Sequence, residues 1–118
     1  MIKEENNKKL LKDLGFKIAS KGFKYWLLAI EIHKKNQWKA SYSMQELYEI
    51  IGEQFKVTGK SVERAMRTCS ENSKKKIKEF YNFNEKLSQK IILKLIVDFK
   101  REYYRPPEEL NKHIPFIF

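Results

Sequence analysis

All three prolines of this 118-residue chain stand at positions 106, 107 and 115, so nothing in residues 1–105 bars a helix. Helix is the default, and the hydrophobic spacing agrees with it. Apolar side chains recur every three or four residues at Leu10, Leu11 and Leu14, then at Phe23, Trp26, Leu27, Ile30 and His33, then at Met44, Leu47, Tyr48, Ile51 and Phe55. No stretch alternates as a strand does. Gly15 predicts a helix C-cap, Ser20 an N-cap for a second helix, and Ser43 with Glu46 a capping box for a third. Thr58 predicts the start of a fourth helix, whose inward stripe is Val62, Ala65, Met66 and Cys69. Phe80, Tyr81 and Phe83 belong to a short helix and connection. Ser88 caps a last helix with Ile91, Ile92, Leu95, Ile96 and Phe99 inward, Lys90, Lys94 and Arg101 outward, and Arg105-Pro106-Pro107 as its end. The expected fold is all-α, a compact bundle of five to six helices containing a helix-turn-helix, with a domain over 1–105 and a C-terminal tail over 106–118.

Composition narrows the function. Apart from Met1 and Ile2, residues 1–7 are polar and charged, and no apolar run is long enough to cross a bilayer, so a cytoplasmic protein with no membrane partner is expected. A single cysteine, Cys69, and two distant histidines, His33 and His113, give neither a disulfide nor zinc spacing. Gly-rich phosphate loops, Gly-x-Ser-x-Gly and His-Glu-x-x-His are missing, and aspartate occurs only at Asp13 and Asp98, so no enzyme, metal, cofactor or small-molecule substrate is expected. The 25 Lys and Arg against 15 Asp and Glu leave a net charge of +10, which points to a polyanionic partner. Two tryptophans, six tyrosines and eight phenylalanines place that charge on a folded scaffold and not on a disordered basic tail.

The helices from Ser43 to about Phe55 and from about Thr58 to about Ser70 are separated by a few residues, the arrangement of a helix-turn-helix. Gly52 supplies the small residue such a crossing needs, Phe55 and Val57 flank the turn as apolar anchors, and Val62 and Ala65 pin the second helix. Stepping 100° per residue from Val62, Met66 and Cys69 fall within about 40°, while Lys60, Arg64 and Arg67 fall between about 140° and 200°. The outward face is Lys60, Glu63, Arg64, Arg67 and Thr68. Arginine can bond guanine O6 and N7 bidentately, and glutamate can accept from cytosine N4, so the face suits the major groove of double-stranded DNA. An acid among arginines faces phosphates unfavourably and so suggests base discrimination. The plainer alternative is a solvated face on which Glu63 and Arg67 form an i, i+4 pair worth about 0.2–0.5 kcal/mol.

Further cations are phosphate candidates. Lys74 and Lys75 lie in the run Ser73-Lys74-Lys75-Lys76-Ile77-Lys78, expected at the end of the recognition helix, where positive charge suits the dipole. Lys21 and Lys24 lie at the start of the second helix, where free N–H groups attract anions. Trp26 is expected in the core and not stacked on unpaired bases, Trp38 has no clear place, Cys69 is an inert buried thiol, and His33 is partly buried.

Lys56-Val57-Thr58-Gly59-Lys60-Ser61-Val62-Glu63-Arg64-Ala65-Met66-Arg67 resembles the recognition-helix segment in the C-terminal DNA-binding domain of sporulation master response regulators, most specifically in Val62-Glu63-Arg64-Ala65 followed by Arg67. Leu14-Gly15-Phe16 and Lys21-Gly22-Phe23-Lys24-Tyr25 are similar to that domain's first loop and second-helix start. The resemblance runs from about Leu10 to Arg101. It implies about six helices, tandem binding to DNA, base reading by Glu63, Arg64 and Arg67, and phosphate approach by Lys60 and Ser61. Thr68 joins the phosphate set and, with Gly59 and Lys60, is a local choice that can alter docking. Glu85-Lys86-Leu87-Ser88-Gln89 departs from the family's Pro-, Thr- and Asn-rich segment, so subunit contacts made there do not carry over. The chain has no room for the family's phosphoacceptor receiver domain, so a free-standing regulator is expected.

The competing expectation is a non-catalytic protein-interaction module that uses the basic surface or the apolar tail His113-Ile114-Pro115-Phe116-Ile117-Phe118. That tail is expected to fold back on the core, or else to bury in a second copy and give a homodimer suited to paired half-sites.

Overall fold

The computed structural model describes residues 2–35 and 43–99. Trp38, Arg101, the Arg105-Pro106-Pro107 stop and the 106–118 tail lie outside the described residues, as does the side chain of Phe99. Among the described residues the order is α1 (Ile2–Asp13), α2 (Lys21–Lys35), α3 (Met44–Phe55), α4 (Gly59–Ser70), a 3-10 turn (Glu71–Ser73), α5 (Lys74–Tyr81) and α6 (Gln89–Lys94), which runs on as a π turn (Leu95–Phe99). The fold is all-α, as expected.

Most boundaries follow from local chemistry. Gly15 takes φ 93°, its N–H bonds Lys12 O at 3.0 Å and the Phe16 N–H bonds Leu11 O at 3.0 Å, a Schellman ending for α1 that needs a residue free of a Cβ penalty. Ser43 and Glu46 form the capping box of α3, and Ser88 caps α6 by accepting the Ile91 N–H at 3.2 Å. α2 begins directly after Ser20, although the Ser20 hydroxyl donates back to Lys17 O at 2.8 Å.

The core centres on α2 and α4. Trp26 is fully buried and donates its indole N–H to Met66 O at 2.9 Å, while Phe16 meets it edge-on with ring centroids 5.2 Å apart. The α1–α2 loop is laced to the end of α4, since the Lys17 N–H bonds Cys69 O at 3.2 Å. Gly22 lies against α4 so closely that a Cβ there would overlap the Ala65 carbonyl and stand 2.7 Å from Cys69 Cβ. This helix crossing was not anticipated as a packing requirement. On the last helix the buried set is Ile92, Leu93, Leu95, Ile96 and Val97. Leu93 and Val97 extend the expected stripe: Val97 lies within the π turn, which shifts the register by one residue, and Leu93 one turn earlier widens the buried face.

Candidate nucleic-acid interface

The turn between α3 and α4 is short because both of its ends are capped. Lys56 takes the left-handed conformation, φ 59° and ψ 46°, and closes α3. The following Val57 N–H bonds Gly52 O at 2.9 Å. A Cβ on Gly52 would stand 2.5 Å from Val57 O, so the small residue is required, though by the backbone of the turn and not by the opposing helix. Thr58 then accepts the Ser61 N–H at 3.1 Å and starts α4. Val57 itself departs from expectation. Its side chain is 38% exposed and lies outside the core, because the tight turn directs its carbonyl inward over Gly52. Phe55 takes the packing role instead, with its ring 5.2 Å from that of Tyr25 and Lys24 Nζ 5.0 Å from its centroid.

α4 is strongly two-faced. Val62, Met66, Cys69 and Ser70 are buried, whereas Lys60, Ser61, Arg64, Arg67 and Thr68 are exposed and Glu63 is half-buried. Arg64 makes no ion pair among the described residues. The Ser61 hydroxyl accepts from Thr58 Oγ1 at 3.0 Å, which ties it to the cap.

Glu63 and Arg67 form the i, i+4 pair that the spacing allows, but the pair is held from a third helix. Arg67 Nη1 donates to Glu63 Oε2 at 2.8 Å and to Oε1 at 3.1 Å. Gln89, the first residue of α6, donates Nε2 to the Glu63 backbone carbonyl at 3.2 Å and to Oε2 at 3.4 Å. Tyr48 of α3 in turn donates its hydroxyl to Gln89 Oε1 at 2.7 Å. Sequence reasoning missed both Gln89 and Tyr48. Tyr48 falls on the apolar stripe of α3, and nothing in local spacing marks a glutamine 26 residues from its partner.

The remaining predicted site residues are dispersed. Lys21 is exposed at the start of α2, next to the Gly22 contact with the middle of α4. Lys75 is exposed and Lys74 half-buried. α4 ends at Ser70, as expected, but Lys74 and Lys75 do not stand at its C-terminus: they open α5, where a helix N-terminus disfavours positive charge. The stop is a tightening of the backbone: the Glu71 N–H bonds Thr68 O, three residues back, and the chain passes into the 3-10 turn.

Two titratable groups bear on the site. Burial, aided by the Glu63 carboxylate and opposed by Arg67, pushes the Tyr48 phenol up to about 12 from an ordinary 10.0. Its folded-state value is the higher one, so its contribution to stability is complete below about pH 10 and fades as pH rises toward about 12. Tyr48→Phe is therefore expected to flatten the fall in thermal midpoint across that window, checked by unfolding curves at about pH 9 and about pH 11. Burial also pushes the Cys69 thiol up, and the thiol donates to Lys17 O at 3.5 Å, which suits an inert core residue.

Two helices joined by a capped turn, the second burying one face and exposing a cationic one, define a helix-turn-helix domain. The chain belongs to the family described as Sporulation initiation factor Spo0A C terminal, whose profile matches residues 8–90. The match runs from α1 into the first turn of α6 and contains the whole helix-turn-helix. Members of this family are DNA-binding domains of transcription regulators and not catalytic domains, so this chain is a DNA-binding regulatory domain. Compared with curated proteins and with solved structures, the chain has no match. Among the described residues no helix is long and apolar enough to cross a membrane.

Proposed function

We propose that this domain regulates transcription by reading double-stranded DNA sequence-specifically, with α4 in the major groove. Glu63, Arg64 and Arg67 read base edges, and Lys60, Ser61, Thr68, Lys21, Lys74 and Lys75 hold the phosphate backbone. The observation that carries this reading is the division of α4: Val62, Met66 and Cys69 are fully buried and Ala65 partly so, while Arg64, Arg67, Lys60 and Thr68 stand exposed on the other side. A fixed helix with an open basic face is what insertion between the phosphate backbones requires, and a glutamate within it favours discrimination over indiscriminate attraction.

On this reading the folded unit is residues 1–105. Copies bind in tandem or as a homodimer, with half-sites about 10 base pairs or a multiple apart. Selection of bound sequences from random duplex DNA tests it. Enrichment of one short motif, repeated at that spacing, is the expected result. Recovery of unrelated sequences whose retention depends only on salt would refute base reading.

The phosphate contacts have a different signature. Lys75→Ala is expected to weaken binding to the selected duplex and to unrelated duplexes alike. It should also reduce the slope of log affinity against log salt by about 0.9, measured by titration at several salt concentrations.

A further inference from the structure

We propose that Gln89, backed by Tyr48, is a positioning residue that fixes the pose in which Arg67 meets a base, acting through Glu63. This rests on the reading of α4 as the base-reading helix and names what sets its specificity at one position.

An i, i+4 ion pair on an open helix face is weak and exchanges readily with water. The Glu63–Arg67 pair is built differently, because its carboxylate is gripped from outside α4. Gln89 Nε2 reaches both the backbone carbonyl of Glu63, at 3.2 Å, and its Oε2, at 3.4 Å. The Gln89 amide has one sensible orientation. Tyr48 donates to its oxygen at 2.7 Å, which turns the NH2 group toward Glu63, and the flipped amide would set oxygen against carboxylate. Three helices thus converge on one carboxylate: α3 through Tyr48, α6 through Gln89 and α4 through Glu63 itself.

The consequence falls on Arg67. Glu63 engages the guanidinium through Nη1 alone, at 2.8 and 3.1 Å. The edge formed by Nε and Nη2 is left as a planar fork, the shape that matches guanine O6 and N7. A guanidinium already held in one pose loses less side-chain entropy when it bonds a base, and its aim is narrower. Arg64, three residues earlier on the same helix, has no such support, so its base position is an internal control.

The test uses the full chain, the selected duplex and a panel of duplexes each altered at one base pair. Arg64→Ala and Arg67→Ala first assign the base pair that each arginine reads. Gln89→Glu keeps the shape of the side chain and the acceptor for Tyr48, suits the first turn of α6 and replaces the donor facing Glu63 by a carboxylate. It is expected to lower discrimination at the Arg67 base pair about tenfold, as loss of a hydrogen bond to a charged group does. Tyr48→Phe, which only frees the amide, is expected to lower it about two- to threefold. Both should leave discrimination at the Arg64 base pair unchanged, and Gln89→Glu should add nothing in an Arg67→Ala background.

Unaltered discrimination at the Arg67 base pair in both variants would overturn the proposal, as would an equal fall at both base pairs or an added loss in the Arg67→Ala background. Should Gln89→Glu fail to fold, Tyr48→Phe carries the same comparison. Failure of the underlying reading looks different: Arg67→Ala would then leave base preference intact at every position, which also removes the proposal.

Discussion

Gly22→Ala is expected to destabilise the domain by about 3 kcal/mol or more, the upper end of what overpacking costs, and to lower the thermal midpoint by about 10 °C or more. The added methyl would overlap the Ala65 carbonyl and press on Cys69 Cβ at 2.7 Å. Neither neighbour is the free end of a flexible side chain. Relief would require α2 to move away from α4, and with it Trp26, whose indole N–H is committed to Met66 O. A domain of this size is held by only about 5–15 kcal/mol, so the loss is a large share of the total.

Gly59→Ala is the matched control. A Cβ there first meets Glu49 Cγ at 3.2 Å, the middle of a side chain that can swing aside. Position 59 is the first of α4, where alanine is the better helix former by less than the helix-interior difference of about 0.8–1.0 kcal/mol, so this substitution should be neutral or mildly stabilising. Thermal unfolding of the two variants side by side checks both signs. A midpoint for Gly22→Ala near that of the parent chain would contradict the α2–α4 crossing.

Arg67→Ala and Arg64→Ala should each weaken binding to the preferred duplex by about 1–3 kcal/mol and relax base preference at one position. They are not expected to be equal. Removing Arg67 also strips Glu63 of its cation, leaving a carboxylate held by Gln89 whose charge is uncompensated in the field of the DNA. Arg67→Ala should therefore be the more damaging, and adding Glu63→Ala should recover part of the loss, a coupling that a double-mutant cycle of duplex affinities measures. Removing Arg64, which has no ion-pair partner among the described residues, exposes no such charge. Equal and additive losses would show that Glu63 does not feel Arg67 on DNA.

Much of this architecture is legible in the sequence, because the signals that set helix boundaries act over a few residues. Gly15, the Ser43–Glu46 box, Thr58 and Ser88 each end or begin the helix they predict. The inward stripe of α4 follows from 3.6-residue periodicity with Val62, Met66 and Cys69 all fully buried, and the same periodicity turns Lys60, Arg64, Arg67 and Thr68 outward. Where expectation and structure part, a distant partner intervenes. Val57 has an apolar side chain, yet the turn needs its carbonyl over Gly52 and leaves the side chain outside. Lys74 and Lys75 follow the end of α4 where the sequence suits a cationic C-terminus, yet after a single 3-10 turn the chain becomes helical again and they open α5 instead.

The amino-acid sequence alone determines the helices, their caps and the side of α4 that carries arginine, since each depends on neighbours one turn away. Tertiary structure alone decides that Gly22 packs against the Ala65 carbonyl, that Lys74 and Lys75 open α5, and that Tyr48 and Gln89 reach the Glu63–Arg67 pair. Those contacts join residues 40, 41 and 26 positions apart, as in Trp26 to Met66, Tyr48 to Gln89 and Gln89 to Glu63. Hydrophobic period and capping chemistry say which face of each helix turns inward. Which polar atom then meets which depends on the angles and depths at which whole helices pack, and no local pattern encodes those.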